Sequence, residues 1–237
     1  EVSQFDALFE APALLLKKPQ LKSRPRRATV VTTTGGGGAM LVDQLSIRGV
    51  DLAGLSPAST IFFKDQQIPC GSGKLVDVTL AGAQYDIMKK TITQLINDPE
   101  TGIVVVAIGS SAQFNPELAV KPIIDAVEEN PAAAPVIAFP LPIAKQSMAM
   151  LEANGIPCFG SVESCADSVA LLLAAQSSTL DDHLDDAIDL KNVQQQLDAV
   201  IKAAAIGGDG GVLNEVDGNQ IFTSLGLKGP RQLFLPL

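Results

Sequence analysis

The stretch Ala28-Thr29-Val30-Val31-Thr32-Thr33-Thr34-Gly35-Gly36-Gly37-Gly38-Ala39-Met40 decides the fold class, because four consecutive glycines join an apolar run to an amphipathic segment. The apolar run predicts a buried strand, and the amphipathic segment predicts a helix. Glycines at such a turn let successive backbone N–H groups converge on one anion, and the following helix adds the positive end of its dipole. The stretch therefore predicts a site for a phosphate, a phosphorylated side chain or a carboxylate. Tight strand-to-helix packing is the alternative.

The glycine pattern differs from two common nucleotide-binding motifs. It is not Gly-x-Gly-x-x-Gly with an acidic residue at the expected distance, and no Lys-Ser or Lys-Thr follows Gly38 as in a Walker loop. A dinucleotide or a nucleoside triphosphate is therefore not the first ligand expected at this turn.

Short apolar runs alternate with helical patterns along most of the chain, which predicts an α/β protein. The predicted strands are 28–33, 51–55, 103–108, 136–139 and 157–159, and the predicted helices are 38–48, 84–97, 115–130, 144–154 and 162–176. Successive βα units favour parallel strands, and right-handed crossovers place helices on both faces of the sheet. We therefore expect a flavodoxin-like doubly wound parallel sheet, with a short helical C-terminal segment.

The residues that follow the strands are the candidate site, because ligands of such sheets bind beyond the carboxyl ends of the strands. A Gly/Ser-rich turn with a carboxylate, 70–79, lies between the second and third predicted strands. Its aspartate could hold the loop through backbone N–H groups, orient a ligand or cap a helix, and loop support is preferred. The two serines after the third strand could bind an anion, although helix capping is the simpler role for either one. The predicted anion-binding residues are Gly35, Gly36, Gly37, Gly38 and Ala39, with Thr34, Asp77, Ser110 and Ser111 in support.

Composition narrows the class of protein. Hydrophobic residues make up 46% of the 237 residues and charged residues 18%, which is enough for one core with an appendage. The net charge of −9, the absence of Trp and the single Tyr argue against nucleic-acid binding, so the basic run 17–27 is interpreted as a solvated linker. No apolar run is long enough for a membrane span. The three cysteines lack disulfide or zinc spacing, and a cytoplasmic location is expected.

No catalytic residue and no metal site are assigned. The single histidine, His183, lies in the acidic stretch 181–186, where the carboxylates favour its protonated form over an activated neutral base. It is interpreted as a solvated linker residue. No combination of serine, histidine and aspartate and no cluster of metal ligands emerges, so a self-contained hydrolase is not expected.

The sequence becomes polar and acidic after the last predicted helix of the sheet domain, 162–176. An acidic linker leads to a helical segment, 193–205, then to a glycine cluster, 207–211, and to a short amphipathic helix within 213–227. We predict an N-terminal helix and basic linker over 1–27 and the flavodoxin-like domain over 28–176. Residues 177–237 are expected to form a linker and the start of a truncated ATP-grasp region.

The order of several motifs resembles that of the NDP-forming acyl-CoA synthetases, the superfamily that includes succinyl-CoA ligase and ADP-forming acetyl-CoA synthetase. Residues 30–43 resemble their strand-loop-helix, and 75–79 resemble their Asn-Pro-Val-Asp turn, although Lys74-Leu75 replaces the Asn-Pro. Residues 95–99 resemble the helix end before the third strand, and 154–159 resemble an edge strand with an Ile-Pro pair. Residues 213–227 resemble the first helix of the ATP-grasp domain. The resemblance extends over nearly the whole chain.

The resemblance implies a part in forming acyl-CoA from a carboxylic acid, CoA and ATP (or GTP) with Mg2+. In this family a phosphate passes from the nucleotide to a histidine and then to the acyl group, and the phosphohistidine lies between the N-termini of two helices. Gly35 to Gly38 match the start of one of these helices. The Ser-His-Thr-Gly-like motif, the CoA-binding domain and most of the ATP-grasp domain have no match here. The chain alone is therefore expected to be inactive, with other synthetase domains or subunits as partners and possible homo-oligomers.

Two other functions remain open at this stage. One is a non-catalytic interaction or regulatory module that keeps the sheet and binds a partner or a small anion. The other is a flavodoxin-like cofactor protein, for which one Tyr and no Trp leave few side chains to stack on a flavin ring.

Overall fold

The computed structural model describes residues 2–16, 24–71, 73–175, 194–195, 198–199, 202 and 215–224. The chain divides into two compact units, Glu1–Ser178 and Thr179–Leu237, and each is described by itself. His183, the glycine cluster 207–211, the acidic linker after residue 176 and residues 17–23 of the basic run lie outside the described residues.

The first unit contains a four-stranded parallel sheet. Its strands are β1 (Ala28–Thr32), β2 (Leu75–Asp77), β3 (Ile103–Ile108) and β4 (Val136–Pro140), in the spatial order β2-β1-β3-β4. Every residue of β1, β3 and β4 is buried, as expected for parallel strands that are covered on both faces. The sheet order and the helices on both faces confirm a flavodoxin-like doubly wound fold.

Helices cover the two faces of the sheet in two groups. The groups are α1 (Ala7–Leu16), α2 (Gly35–Ile47) and α8 (Val162–Ala175) on one face, and α3 (Pro57–Asp65), α4 (Tyr85–Asn97), α6 (Pro116–Glu128) and α7 (Lys145–Ala153) on the other. A 3-10 helix, Thr79–Ala83, precedes α4, and the short α5 (Ser111–Phe114) follows β3. In the second unit the structure describes α9 (Glu215–Ser224). None of the described helices combines the length and apolar character of a membrane span.

Alternate residues of each strand supply the two cores. Val104 and Val106 of β3 pack in the core under α4 and α6, whereas Ile103 and Val105 pack in the core under α2 and α8. This alternation follows from the two-residue period of a strand, which points successive side chains to opposite faces. Near-continuous apolar strands therefore build both cores at once.

Three strand predictions need correction. The predicted strand 51–55 forms only an isolated bridge between Leu52 and Ala28, because β2 takes the place beside residues 30–32 of β1. Residues 75–77 were expected in a turn and form this edge strand β2 instead. The predicted strand 157–159 contributes one bridge, between Cys158 and Ala138, so the fifth strand position is occupied by a single residue pair.

Two helices of the first unit escaped prediction, α3 and the short α5. Helix α3 begins at Pro57, and the Ser56 hydroxyl accepts a hydrogen bond of 3.1 Å from the N–H of Ser59. A serine cap followed by proline at the first helical position is a strong start signal, which the sequence contained. The cap is tied to α4, because the Ser56 and Ser59 hydroxyls both donate to the buried carboxylate of Asp98.

Candidate functional site

Helix α2 begins at Gly35, not at Gly38 as predicted, so the four glycines form its first turn rather than a loop. The cause is the hydroxyl of Thr32, which donates to the C=O of Thr34 at 2.6 Å and accepts from the N–H of Thr34 at 2.9 Å. These bonds hold Thr34 in an extended conformation (φ −143°, ψ 110°), as the residue before a helix requires.

The first turn of α2 leaves backbone donors without acceptors. The first bond of the helix runs from the N–H of Gly38 to the C=O of Thr34, at 2.9 Å. Within the described part of the chain, the N–H groups of Gly35, Gly36 and Gly37 have no hydrogen-bond acceptor. Such free N–H groups carry the positive end of the helix dipole and favour an anion.

The glycines divide into two pairs with different surroundings. A Cβ on Gly37 would lie 2.8 Å from Thr34 Cγ2, and a Cβ on Gly38 would lie 2.8 Å from Thr32 Cγ2. A Cβ on Gly35 or Gly36 would meet nothing within 4 Å, and both residues are exposed. Packing therefore accounts for Gly37 and Gly38, while the open space in front of α2 lies at Gly35 and Gly36.

The four strands end close together beside this turn. Thr33 Oγ1 accepts a hydrogen bond of 2.9 Å from the N–H of Gly109, which joins the end of β1 to the end of β3. The N–H of Val78, just after β2, donates to the C=O of Thr32 at 3.1 Å. Leu141, just after β4, lies 3.3 Å from the Cβ position of Gly37. The carboxyl edge of the sheet thus surrounds the start of α2.

The two predicted serines lie at this edge without acting as caps. Ser110 precedes α5 and makes no side-chain capping hydrogen bond. In residues 2–16, 24–71 and 73–175, the hydroxyls of Ser110 and Ser111 have no hydrogen-bond partner. Ser110 is exposed and Ser111 is half-buried, so both hydroxyls keep their hydrogen-bonding capacity.

Asp77 holds a turn through a backbone N–H, which is the role preferred for it from the sequence. Its Oδ1 accepts a hydrogen bond of 2.9 Å from the N–H of Thr79. Thr79 has a positive φ of 32°, a conformation that a non-glycine residue adopts at a cost. The carboxylate therefore stabilises the strained entry to the 3-10 helix, next to the end of β1.

The described residues do not supply a ligand set for a metal ion. No group of three or more His, Cys, Asp or Glu side chains among them could hold one. The donors that face the start of α2 are backbone N–H groups and hydroxyls.

Sequence reasoning missed the parts that hold the site together, namely the hydroxyls of Thr32 and Thr33. Both follow a buried apolar run, and threonines at the end of a buried strand are candidates for hydrogen bonds to neighbouring backbone. This signal was present in the sequence, but the partners depend on tertiary structure.

Comparisons with known proteins support the fold. No protein-family model matches the chain, and no curated protein matches it. Among solved structures, PH0766 from Pyrococcus horikoshii OT3 is similar, with 25% identity and a TM-score of 0.63 over 74% of this chain and 40% of that chain. The dinucleotide forming acetyl-coenzyme A synthetase 1 of Ca. Korarchaeum cryptofilum is similar in its apo form, with 20% identity and a TM-score of 0.59 over 74% of this chain and 39% of that chain.

A second structure of the Ca. Korarchaeum cryptofilum enzyme, in complex with phosphate and ADP, has 21% identity and a TM-score of 0.60 over 74% of this chain and 38% of that chain. The chain thus spans about two fifths of the length of these neighbours. The likenesses show that this chain shares its fold with part of each of these proteins, one of which is an acetyl-coenzyme A synthetase.

Proposed function

We propose that this chain is the part of an NDP-forming acyl-CoA synthetase whose α2 N-terminus holds the phosphorylated histidine segment of another domain or subunit. The observation that carries the proposal is the set of free N–H groups at Gly35, Gly36 and Gly37, with open space before the first two. Together with the helix dipole, these donors suit a phosphoryl group.

The contribution of this chain is to bind and orient an anion. The N–H groups of Gly35 and Gly36 would donate to phosphoryl oxygens, and the hydroxyls of Ser110 and Ser111 are candidates for further hydrogen bonds. Thr32, Thr33 and Asp77 would act through the backbone, because each fixes a segment at the carboxyl edge of the sheet. Donors that are fixed before the anion arrives need no reorganisation when it binds.

The nucleotide, CoA and Mg2+ are assigned to other domains of the complete synthetase. The similarity to a synthetase solved with phosphate and ADP supports the use of a nucleotide by the whole enzyme. The length of the neighbours relative to this chain supports its role as one domain among several. The proposal therefore includes that this chain alone forms no acyl-CoA.

A phosphate titration tests the proposed site. Inorganic phosphate is added to the 15N-labelled chain at constant ionic strength, with chloride as the matched control. We expect the amide signals of Gly35, Gly36 and Gly37 to move with phosphate and not with chloride. If these signals stay still while other loops respond, the anion site lies elsewhere.

An activity assay tests the assignment of the chemistry to other domains. The chain is incubated with a short carboxylic acid, CoA, ATP and Mg2+, and both ADP and acyl-CoA are measured. We expect neither product above the rate without protein. Formation of acyl-CoA by this chain alone would overturn the assignment of these steps to other domains.

A further inference from the structure

A groove lies on the side of the first unit away from β2, between α1 and the segment 157–159. Its volume is about 400 Å3, and it is lined by apolar side chains that include Phe9, Leu14, Met148 and Phe159. Its floor includes Cys158, the residue that pairs with Ala138 beyond β4. Grooves of this size with apolar walls are typical of binding sites.

The exposed face of α1 adjoins this groove. Ala7, Ala11 and Leu14 of α1 are buried, and α1 packs on α8, yet Leu8 is 55% exposed and Phe9 68% exposed. Phe5, which is 71% exposed, packs edge-to-face on Phe9 with ring centroids 5.2 Å apart. Large apolar side chains on a helix are normally covered, and those of α1 extend from its packed face to its exposed face. The outer face of α1 therefore has the character of an interface.

Two carboxylates flank the groove without a cationic partner. Glu10 accepts a hydrogen bond from the Ser164 hydroxyl, and Glu152 is exposed on α7. Within the described residues neither carboxylate forms a salt bridge. Burial, followed by the charges of Glu152 and Glu10, raises the pKa of the Cys158 thiol to about 12, so the floor of the groove is uncharged. The groove is apolar inside and negative at its rim.

We propose that this groove and the adjoining face of α1 bind a segment of another polypeptide that carries both large apolar side chains and positive charges. Leucine or phenylalanine side chains of that segment would fill the groove beside Phe9 and Met148, and its lysines or arginines would pair with Glu10 and Glu152. A second copy of this chain fits less well, because the net charge of −9 and the acidic rim would repel it. Together with the exposed Phe5 and Phe9, the groove forms a surface larger than a small molecule would cover.

A pair of matched peptides tests the proposal. The first is a short acetylated and amidated helical peptide of leucine, phenylalanine and lysine, and the second carries glutamate in place of every lysine. Binding is followed by amide shifts of the labelled chain. We expect the lysine peptide to bind and to move signals at Phe9, Met148 and Cys158, and the glutamate peptide to bind at least about fivefold more weakly.

Charge reversal separates a specific groove from general attraction to an acidic protein. In Glu152→Lys the preference should shift toward the glutamate peptide. The matched control is Glu128→Lys on α6, which makes the same change of net charge at an exposed residue that does not line the groove, and it should keep the parent preference. Absence of binding by the lysine peptide, equal binding of both peptides, or equal effects of the two substitutions would each overturn the proposal.

Discussion

A side chain on Gly38 would collide with Thr32, whose Cβ and Cγ2 both lie 2.8 Å from the position that a Cβ on Gly38 would take. Thr32 is fully buried, and its hydroxyl holds Thr34 in place. The close approach of α2 to β1 therefore depends on Gly38. Gly36, two residues earlier in the same helical turn, has nothing within 4 Å of its Cβ position.

Gly38→Ala is expected to lower the free energy of unfolding by about 1–3 kcal/mol, because Thr32 cannot move without disturbing β1. Gly36→Ala is the matched control, and it should raise the free energy of unfolding by up to about 1 kcal/mol, since alanine favours a helix more than glycine does. Urea denaturation measures both. Equal effects of the two substitutions would mean that α2 does not pack on Thr32 as described.

The ion pair of Arg48 and Asp167 predicts a pH dependence of stability. Burial alone would raise the pKa of Asp167, but hydrogen bonds from Arg48 and Ser3 outweigh it and hold the pKa below its ordinary value. A carboxyl whose pKa is lowered in the folded state stabilises the fold at pH values above its unfolded pKa of about 3.9. This contribution is lost as the pH falls through the folded pKa.

Asp167→Asn should therefore cost about 1.5–3 kcal/mol at pH 7, because the half-buried Arg48 loses its charged partner. The difference from the parent should shrink as the pH falls below about 3.9, because the carboxyl then takes up a proton in the unfolded parent more readily than in the folded one. Asp125→Asn is the control and should cost much less, because it removes the charge that pairs with the half-exposed Lys121, while the asparagine oxygen can still accept from the Tyr85 hydroxyl. A difference between the Asp167 variant and the parent that stays constant from pH 7 to pH 3 would contradict this account.

The three thiols should react at different rates. Burial raises the pKa of Cys70, Cys158 and Cys165, and Cys158 and Cys165 are buried whereas Cys70 is half-buried. Because the thiolate is the reactive form, Cys70 should be alkylated first by iodoacetamide at pH 8, Cys158 much more slowly because its pKa is raised to about 12, and Cys165 only on unfolding. Mass spectrometry after timed alkylation gives the order. Modification of Cys158 before Cys70, or of Cys165 in the folded protein, would contradict this order.

Much of the fold could be predicted because apolar periodicity is a local property of the sequence. The continuous apolar run of β3 and the clear stripe of α6 were placed within two residues of their observed bounds. The short strand β2 was missed because its three residues lie among glycines and polar residues, where only pairing with β1 makes them a strand. Strand identity at the edge of a sheet depends on the neighbour rather than on the segment itself.

The candidate site could be located from the sequence, but its internal geometry could not. The glycines after β1 marked the carboxyl edge of the sheet, whereas the start of α2 at Gly35 depends on the Thr32 hydroxyl. Gly37 has no room for a side chain because Thr34 and Leu141 lie close to it in the folded structure, whereas Gly35 and Gly36 have open space. Neither the hydrogen bonds of Thr32 nor the close contacts of Gly37 can be deduced from the spacing of residues in the sequence.

The most direct test of the central claim compares Gly35→Pro with Gly35→Ala in the phosphate titration. Proline removes the N–H at the first helical position, where it is tolerated, and the extended Thr34 before it suits a following proline. Alanine retains the N–H. With similar thermal midpoints, the alanine variant should bind phosphate as the parent does, and the proline variant at least about tenfold more weakly, as for loss of a hydrogen bond to a charged group. Equal phosphate affinity in the two variants would contradict the claim that the N–H groups of this turn hold the anion.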